Sequence, residues 1–293
     1  MLRRLAAAFS LLCLLAACST RGPAQDSRSS APPPLPREFR GAWVATVDNI
    51  DFPSRPGLSA AQLRKELDTI VDRAAAVGLN ALVFQVRPAG DALYASPLEP
   101  WSEWLTGAQG KAPDGNFDPL AYVIERCHAR GLQLHAWCNP YRAGHPAGKS
   151  PPAKGHVRTK APQIVRHYNK HDWMDPGEPL AAKWSLAVIQ DIVKRYDVDG
   201  LHIDDYFYPY PVPGANGQDK PFPDDASYKK YQAAGGTLGR DDWRRQNVDT
   251  FVERMYREVH AEKRHVRVGI SPFGIWKPGF PAGITGMDPT EKL

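Results

Sequence analysis

From residue 37 onward, short apolar runs alternate with longer segments in which apolar residues recur at every third or fourth position. The short runs have the length of buried strands, and the longer segments have the period of helices that cover a core. The strand candidates are residues 41–47, 80–87, 132–139, 200–206 and 266–271. Because a helix between two strands excludes a simple hairpin, this alternation predicts a parallel sheet covered by helices.

The helix candidates carry recognisable ends. The first follows Ser59, a good N-cap residue, and stops at Gly78, a residue suited to a helix C-terminus. The other three cover about 119–130, about 183–196, and the stripe from Val248 to Val259. Each of these segments is long enough to join two neighbouring parallel strands.

The loops at the two ends of the predicted strands differ in length. Helices return to strands through a few residues, whereas strands lead to helices through residues 88–117, 140–180 and 207–243. Long loops on the C-terminal side of the strands are typical of a TIM-type (β/α)8 barrel, which builds its site there. No glycine-rich dinucleotide-binding fingerprint follows the first strand. The sequence therefore predicts an α/β barrel of which about five β/α units are visible.

The strands also have two chemically different faces. In the fourth strand, Leu201 and Ile203 alternate with His202, Asp204 and Tyr206. Side chains of a strand alternate between its faces, so the apolar set is expected against the helices and the polar set toward the barrel axis. A lumen lined with polar and aromatic groups predicts a binding site.

The N-terminus has the pattern of an export signal. A basic start precedes an apolar run that is too short to span a bilayer, and the run ends at Cys18 after two alanines. This end is similar to the lipobox of bacterial lipoproteins, so residues 1–17 are expected to be a signal peptide and Cys18 the lipidated residue. The alternative is an ordinary secretory cleavage site. Ser19 favours the outer membrane of a Gram-negative cell, with the domain facing the periplasm.

Residues 18–36 are rich in Ser, Ala and Pro and are predicted to be a flexible tether, followed by one domain over 37–293. Removal of the signal lowers the formal net charge from +5 to +3, which is too mild to indicate nucleic-acid binding. Cys127 and Cys138 remain in apolar stretches, where buried thiols are expected rather than a disulfide.

The residues with the clearest chemistry lie at the end of the fourth strand. Asp204 and Asp205 stand among aromatic residues at the C-terminal end of a barrel strand. A glycosidase needs one group that protonates the leaving oxygen and another that stabilises or attacks the cationic sugar, so both are candidate catalytic residues, Asp204 first. The alternative is that they cap the strand or hold an arginine. We expect no cofactor, and a catalytic metal is disfavoured because no His-x-His pair or three-ligand cluster is seen near the first strand.

Several sequence blocks, in order along the chain, resemble the glycosyl hydrolase-like 10 family. They are residues 39–44, 80–88 with 91–94, 135–142, 202–209 and 269–276. The resemblance covers about residues 37–279. It implies a TIM-type barrel, related to glycoside hydrolases and often carried on a bacterial lipoprotein, and one protein of this kind cleaves peptidoglycan glycan strands stripped of their stem peptides. The family domain continues beyond the block around Trp276, so we expect this domain to be incomplete at its C-terminus.

The resemblance and the strand parity together give a set of substrate-binding candidates. They are Trp43, Arg87, Asp91, Tyr94, His135, Trp137, Asn139, Tyr141, Arg142, His202, Tyr206, Tyr208, Ser271 and Trp276. Aromatic faces suit the apolar faces of pyranose rings. Arg87 and Arg142 are expected to hold a sugar carboxylate or acetamide oxygen, or to neutralise Asp204. His202 and Asn139 are expected to tune or position Asp204.

Two questions stay open at the level of the sequence. The second carboxylate of a glycosidase has four candidates: Asp51, Asp91, Glu103 and Asp205. The function is also open, because a sugar-binding lipoprotein that does not catalyse, or an inactive fragment, fits an early C-terminus as well as an enzyme does. Beyond a polysaccharide substrate and a lipid anchor, the sequence identifies no partner.

Overall fold

The computed structural model describes residues 38–214 and 218–272. Eight strands and seven α-helices lie in these ranges. The strands are β1 (Gly41–Val44), β2 (Ala81–Arg87), β3 (Gln133–Cys138), β4 (Arg142–Gly144), β5 (Val165–Tyr168), β6 (His171–Met174), β7 (Gly200–Ile203) and β8 (Arg267–Ile270). The helices are α1 (Ala60–Ala76), α2 (Glu103–Thr106), α3 (Pro119–His128), α4 (Val157–Lys160), α5 (Pro179–Arg195), α6 (Asp225–Ala233) and α7 (Arg240–Glu262).

The main sheet is parallel and its strands follow the chain order, β1-β2-β3-β7-β8. The helices α1, α3, α5 and α7 connect successive neighbours in this order. A doubly wound sheet reverses its strand order at a switch point, and this sheet does not, so the arrangement is that of consecutive units of a TIM-type (β/α)8 barrel. The predicted fold class and its five visible strands are confirmed.

The sheet curves strongly. Trp43 of β1 and His202 of β7 lie three strands apart, which corresponds to about 14 Å in a flat sheet. Their ring centroids are nevertheless 4.5 Å apart. The strands therefore bend around a lumen, as the barrel prediction requires.

Alternation along the strands separates the core from the lumen. Leu82, Phe84, Leu201 and Ile203 are buried in the hydrophobic cluster that the helices cover. Helices α1 and α3 pack on each other and on β2, and α5 packs on α7. Burial of these apolar side chains is the main favourable term in folding, because it removes their surface from water.

The first helix forms where its sequence predicts. The Ser59 side chain accepts a hydrogen bond from the backbone of Gln62, and the Gln62 side chain accepts one from the backbone of Ser59. This reciprocal capping box satisfies two N–H groups that a helix start otherwise leaves unpaired. None of the described helices combines the length and the apolar character needed to cross a membrane.

The loop that follows β3 is more ordered than the sequence indicates. It contains an antiparallel sheet with the order β4-β6-β5. His167 lies on β5 and His171 lies on β6. His167 is exposed, whereas His171 is half-buried and contacts the rings of His145 and Trp173. Cys127 and Cys138 are free, buried thiols, as predicted.

Candidate active site

Asp204 lies at the C-terminal end of β7, where the polar face of that strand reaches the mouth of the lumen. It is 5% exposed, and its Oδ2 accepts a hydrogen bond from Trp137 Nε1 at 3.0 Å. The amide nitrogen of Asn139 lies 3.1 Å from both carboxylate oxygens. Trp137 lies on β3 and Asn139 directly follows this strand, two positions later. Side chains two positions apart on a strand point to the same side, so both donors reach the same carboxylate.

Asn139 is itself held in one orientation. Its Oδ1 accepts hydrogen bonds from the backbone N–H groups of Tyr141 and Arg142, at 3.1 and 2.7 Å. With the oxygen used in this way, the amide nitrogen is the end that faces Asp204. Asn139 therefore holds the carboxylate of Asp204 through hydrogen bonds, and its role in positioning a catalytic group stays a prediction.

Burial raises the pKa of Asp204 to about 6, and the Arg142 cation and the hydrogen bonds from Trp137, Asn139 and the Tyr206 backbone oppose that rise. A carboxylate that receives only donors is stabilised in its ionised form. At neutral pH, Asp204 is therefore a buried negative charge at the mouth of the barrel.

Aromatic rings form one side of the mouth. Trp43 is 40% exposed, and its ring meets Trp137 and His202 edge-on, at centroid distances of 4.6 and 4.5 Å. An exposed indole beside a buried carboxylate suits the apolar face of a sugar ring. The structure thus brings together Trp43, Trp137, Asn139, His202 and Asp204, all of them expected from the sequence.

The two histidines of the lumen lie deeper than Asp204. Burial lowers the pKa of His135, and it lowers the pKa of His202 to about 4, with a smaller contribution from His135. His202 Nε2 is buried without a hydrogen-bond partner. Both rings lie over neighbouring strands at glycines: a Cβ on Gly200 would overlap the His135 ring, and one on Gly269 would lie 2.5 Å from His202 Nδ1.

Arg142 opens β4 and lies beside Asp204. Its guanidinium carbon is 4.7 Å from the ring centroid of Tyr206 and 5.8 Å from that of Trp173. Among the described residues, the guanidinium makes one hydrogen bond, a long one of 3.5 Å from Nη1 to the carbonyl of Pro88, and its Nε has no partner. Burial lowers the pKa of Arg142, and the Asp204 charge only partly opposes this.

Arg87, in contrast, is not accessible to a substrate. It is fully buried, and Glu99 accepts from its Nε at 2.8 Å and from its Nη2 at 2.5 Å. Its Nη1 donates to the backbone carbonyls of Asn139 and Pro140. Since its guanidinium is engaged by groups of the core, Arg87 belongs to the fold, and its assignment to substrate binding is corrected.

Three tyrosines expected in the site also lie in the core. Tyr94 packs edge-on against Tyr196, and Tyr141 lies 5.2 Å from the ring of Phe251. Both are completely buried. Tyr208 is 7% exposed and its hydroxyl accepts a hydrogen bond from Asn247. Aromatic residues next to a strand end serve packing as readily as binding, and the sequence pattern does not separate the two uses.

The remaining candidates divide between the rim and other places. Asp205 is half-buried and accepts a hydrogen bond from Tyr210, and Ser271 is exposed beside the end of β7, where its N–H donates to Ile203. Asp91 lies in a separate small cavity of about 30 Å³ with Gln109, and burial raises its pKa to about 6. Trp276 and Cys18 lie outside the described residues.

The other proposed partners for Asp204 have structural contacts elsewhere. Asp51 accepts from the backbone of Ala45 after β1, and Glu103 accepts from the backbone of Lys149 and Ser150. Neither they nor Asp91 make a hydrogen bond to Asp204 or to the residues that hold it. Among the described residues, no group of three or more His, Cys, Asp and Glu side chains is arranged to hold a metal ion.

Sequence reasoning missed the wall that β6 adds to the mouth. The Trp173 ring stacks on Tyr206 with a centroid distance of 6.0 Å, and the Trp173 Nε1 is buried without a partner. Tyr206 in turn contacts Tyr210. The spacing of His171 and Trp173 by two residues is the available signal, but a strand of four residues is too short for a reliable period.

Comparisons with known proteins agree with this geometry. A family model described as glycosyl hydrolase-like 10 matches residues 38–285. The chain is 41% identical over 242 residues to glycosyl hydrolase YngK of Bacillus subtilis (strain 168), covering 82% of this chain and 46% of that protein. It is 32% identical over an alignment of 304 residues to glycosyl hydrolase DigH of Escherichia coli (strain K12), covering 94% of this chain and 66% of that protein.

The chain thus spans about half the length of the first of these relatives and 66% of the second. Among solved structures, the α-L-fucosidase isoenzyme 2 from Paenibacillus thiaminolyticus matches with a TM-score of 0.53 and 14% identity, over 83% of this chain and 34% of that one. That likeness concerns the fold alone. The family match covers most of the chain and includes Asp204 and the residues that hold it, so the chain belongs to the glycosyl hydrolase-like 10 family.

Proposed function

We propose that this protein is a glycosidase that hydrolyses peptide-free peptidoglycan strands, with Asp204 as its ionised catalytic carboxylate. The observation that carries the proposal is the environment of Asp204: a buried carboxylate at the mouth of the barrel, held by Trp137 and Asn139 beside the exposed ring of Trp43. Membership of a glycosyl hydrolase-like family supports the reaction class. The likeness of the sequence blocks to that family supports the glycan.

The contacts of Asp204 favour one catalytic role over the other. Trp137, Asn139 and the Tyr206 backbone all donate to it, and Arg142 adds a positive charge nearby. A general acid must carry a proton when the substrate binds, whereas these donors oppose the effect of burial and hold the pKa of Asp204 at about 6, so that it is mainly ionised at neutral pH. Asp204 is therefore the nucleophile of a retaining reaction or the carboxylate that stabilises the cationic sugar, and another group protonates the leaving oxygen.

The test is the release of reducing ends from peptide-free peptidoglycan by the full chain and by Asp204→Asn. We expect the variant to lose at least about a thousandfold in kcat/KM, since the group that stabilises or attacks the transition state is removed. Asp72→Asn is the matched control, because this exposed carboxylate of α1 pairs with Arg130, outside the candidate site. It is expected to retain activity within about tenfold. The two roles of Asp204 are distinguished with azide. If Asp204 is the nucleophile, azide is expected to restore turnover to Asp204→Gly and to yield a glycosyl azide, whereas a purely stabilising charge predicts no such product.

Two outcomes contradict the proposal. Equal activity of the parent and Asp204→Asn would remove Asp204 from the chemistry. Glycan binding without turnover by a folded parent would favour the alternative of a sugar-binding protein. Binding is measured by titration with the same strands, and folding by near-ultraviolet circular dichroism.

We further propose that the chain is exported and anchored through Cys18 to the outer membrane, facing the periplasm, where peptidoglycan is within reach. A short apolar run that ends at this cysteine supports the anchor. Growth with a radiolabelled fatty acid is expected to label the parent and not Cys18→Ala. Label on both proteins would disprove the anchor without affecting the proposed reaction.

A further inference from the structure

We infer that Arg142 selects substrates that carry a carboxylate on the sugar bound next to Asp204. This inference rests on the proposed glycosidase function and names the substrate feature that the site reads. In peptidoglycan, that feature is the lactyl carboxylate of muramic acid. It is bound in an amide while the stem peptide is attached, and it becomes a free anion when the peptide is removed.

The first argument is the lack of partners around Arg142. The residue is 6% exposed, yet its guanidinium has one long hydrogen bond, to Pro88, and no ion pair within 4.0 Å in the part of the chain that the structure describes. A guanidinium has five N–H donors, and burying it without acceptors or a countercharge costs free energy. An anion that arrives with the substrate would satisfy these donors.

The second argument is that Asp204 does not supply this countercharge directly. Its oxygens already accept from Trp137 and Asn139, and it lies beyond ion-pair distance from Arg142. The rings of Tyr206 and Trp173 contact the guanidinium and fix its position. Arg142 is thus held close to the catalytic carboxylate while its Nε has no acceptor and its Nη1 has one distant acceptor among the described residues.

The third argument concerns the charge of the partner. His145 and His171 lie on the same wall, and burial, together with the Arg142 charge, lowers the pKa of both, that of His171 to about 4. Both rings are therefore mainly neutral at neutral pH, Arg158 is paired with Asp172, and the charge of Arg142 is left without an ion pair among the described residues. One planar guanidinium matches a singly charged, planar carboxylate. The unpartnered Nε1 of Trp173 adds a neutral donor nearby.

The experiment compares two forms of one substrate. Peptide-free strands are used as they are, or after their lactyl carboxyls are coupled to methylamine, which removes the charge and adds little bulk. We expect the parent to lose about 10- to 100-fold in kcat/KM on the amidated strands, the range for a hydrogen bond to a charged group. At a pH above the acid limb of both proteins, Arg142→Met is expected to lose the preference and to cleave the two forms with equal kcat/KM.

Two further variants make the result specific. Arg142→Lys keeps the charge without the planar fork and is expected to restore part of the preference. Arg158→Met removes a partly exposed arginine that pairs with Asp172 and is expected to leave the preference unchanged. If Arg142→Met lowers the cleavage of both forms by the same factor and keeps the preference, Arg142 acts through Asp204 or through the fold, and the inference is overturned.

A binding measurement distinguishes failure of the proposed reaction from failure of the inference about Arg142. If the parent cleaves neither form, short muramic acid oligosaccharides are titrated in their acid and amidated forms, beside oligomers of galacturonic acid. Tighter binding of an acid form that is lost in Arg142→Met supports carboxylate recognition, and the oligosaccharide that shows it identifies the source of the carboxylate. Equal binding of acid and amidated forms overturns the inference.

Discussion

Arg87 and Arg142 are two buried arginines at the same end of the barrel, and their surroundings are opposite. Arg87 is engaged by the carboxylate of Glu99 and two carbonyls, whereas Arg142 has aromatic rings and one long hydrogen bond. Burial alone lowers the pKa of an arginine. The Glu99 charge reverses that effect at Arg87, whose pKa is raised, while the pKa of Arg142 stays lowered.

The difference shows how the same side chain serves two purposes. A buried arginine with its donors satisfied fixes the backbone around it: Arg87 binds the carbonyl of Asn139, whose side chain holds Asp204. A buried arginine without acceptors is unfavourable in the free protein and therefore indicates a ligand. Stability and substrate recognition are thus expected to respond in opposite ways to changes at the two positions.

The largest effect is expected from Glu99→Gln. This change leaves the shape of the core almost intact but removes the countercharge of a fully buried arginine, and such a loss costs about 3–5 kcal/mol. The free energy of unfolding, measured by urea denaturation, is expected to fall by that amount. The Trp184 indole can still donate to the new amide oxygen, but the amide NH2 group cannot accept from Arg87, so the loss combines the charge and one hydrogen bond. If the free energy of unfolding falls by less than about 1 kcal/mol, the Glu99 charge contributes little to stability, and the contrast between Arg87 and Arg142 is not supported.

A double variant, Arg87→Met with Glu99→Leu, is expected to be more stable than Glu99→Gln by about 1–2 kcal/mol. An apolar pair leaves no buried charge unpaired, although the carbonyls of Asn139 and Pro140 lose a donor. A double-mutant cycle with the two single variants measures the coupling. Additive losses would show that the two side chains do not act as a pair.

The pH dependence of activity sharpens the comparison at the other arginine. The pKa of Asp204 is about 6, so the ionised form is lost below that pH, and kcat/KM is expected to fall about tenfold per pH unit on the acid side. Arg142 lowers the pKa of Asp204, so Arg142→Met is expected to move this acid limb to higher pH. The profile is measured on the amidated strands, where carboxylate binding does not contribute. An unchanged limb would show that Arg142 and Asp204 do not interact.

The smallest effect is expected on the stability of Arg142→Met. Replacing an unpaired buried cation by an apolar side chain is expected to leave the free energy of unfolding unchanged or to raise it by about 1 kcal/mol. Thermal and urea unfolding of the parent and the variant provide the measurement. A loss of several kcal/mol would place Arg142 with Arg87 among the residues that hold the fold.

The sequence predicted most of the parallel sheet because its signals are long or repeated. The helix after Ser59 has a cap, an apolar stripe and a stop, and the strand from Ala81 to Arg87 is a buried, mostly apolar run with a helix on either side. The antiparallel sheet was not predicted, since its strands have three or four residues. Such strands form because backbone groups pair across the loop, and this pairing leaves no periodic pattern of side chains in the sequence.

The site was predicted in part, for a related reason. Strand parity located Trp137, His202 and Asp204 correctly on one face, because alternation holds along any strand. It failed for Arg87 and Tyr141, since the residues that bury them come from distant parts of the chain. Glu99, the partner of Arg87, follows it by twelve positions. Phe251, which packs against Tyr141, lies on α7. Whether a polar side chain near a strand end is satisfied depends on such partners, which a single sequence does not reveal.

Gly200 and Gly269 have an electrostatic consequence for the site. By leaving space on two strands, they let the rings of His135 and His202 lie over the neighbouring strands on the face that carries Asp204, and burial lowers the pKa of both rings, so that they are mainly uncharged at neutral pH. Because neither ring carries a positive charge, they do not neutralise the negative charge of the ionised Asp204. In the proposed reaction, that charge is left to stabilise the positive charge that develops on the sugar in the transition state.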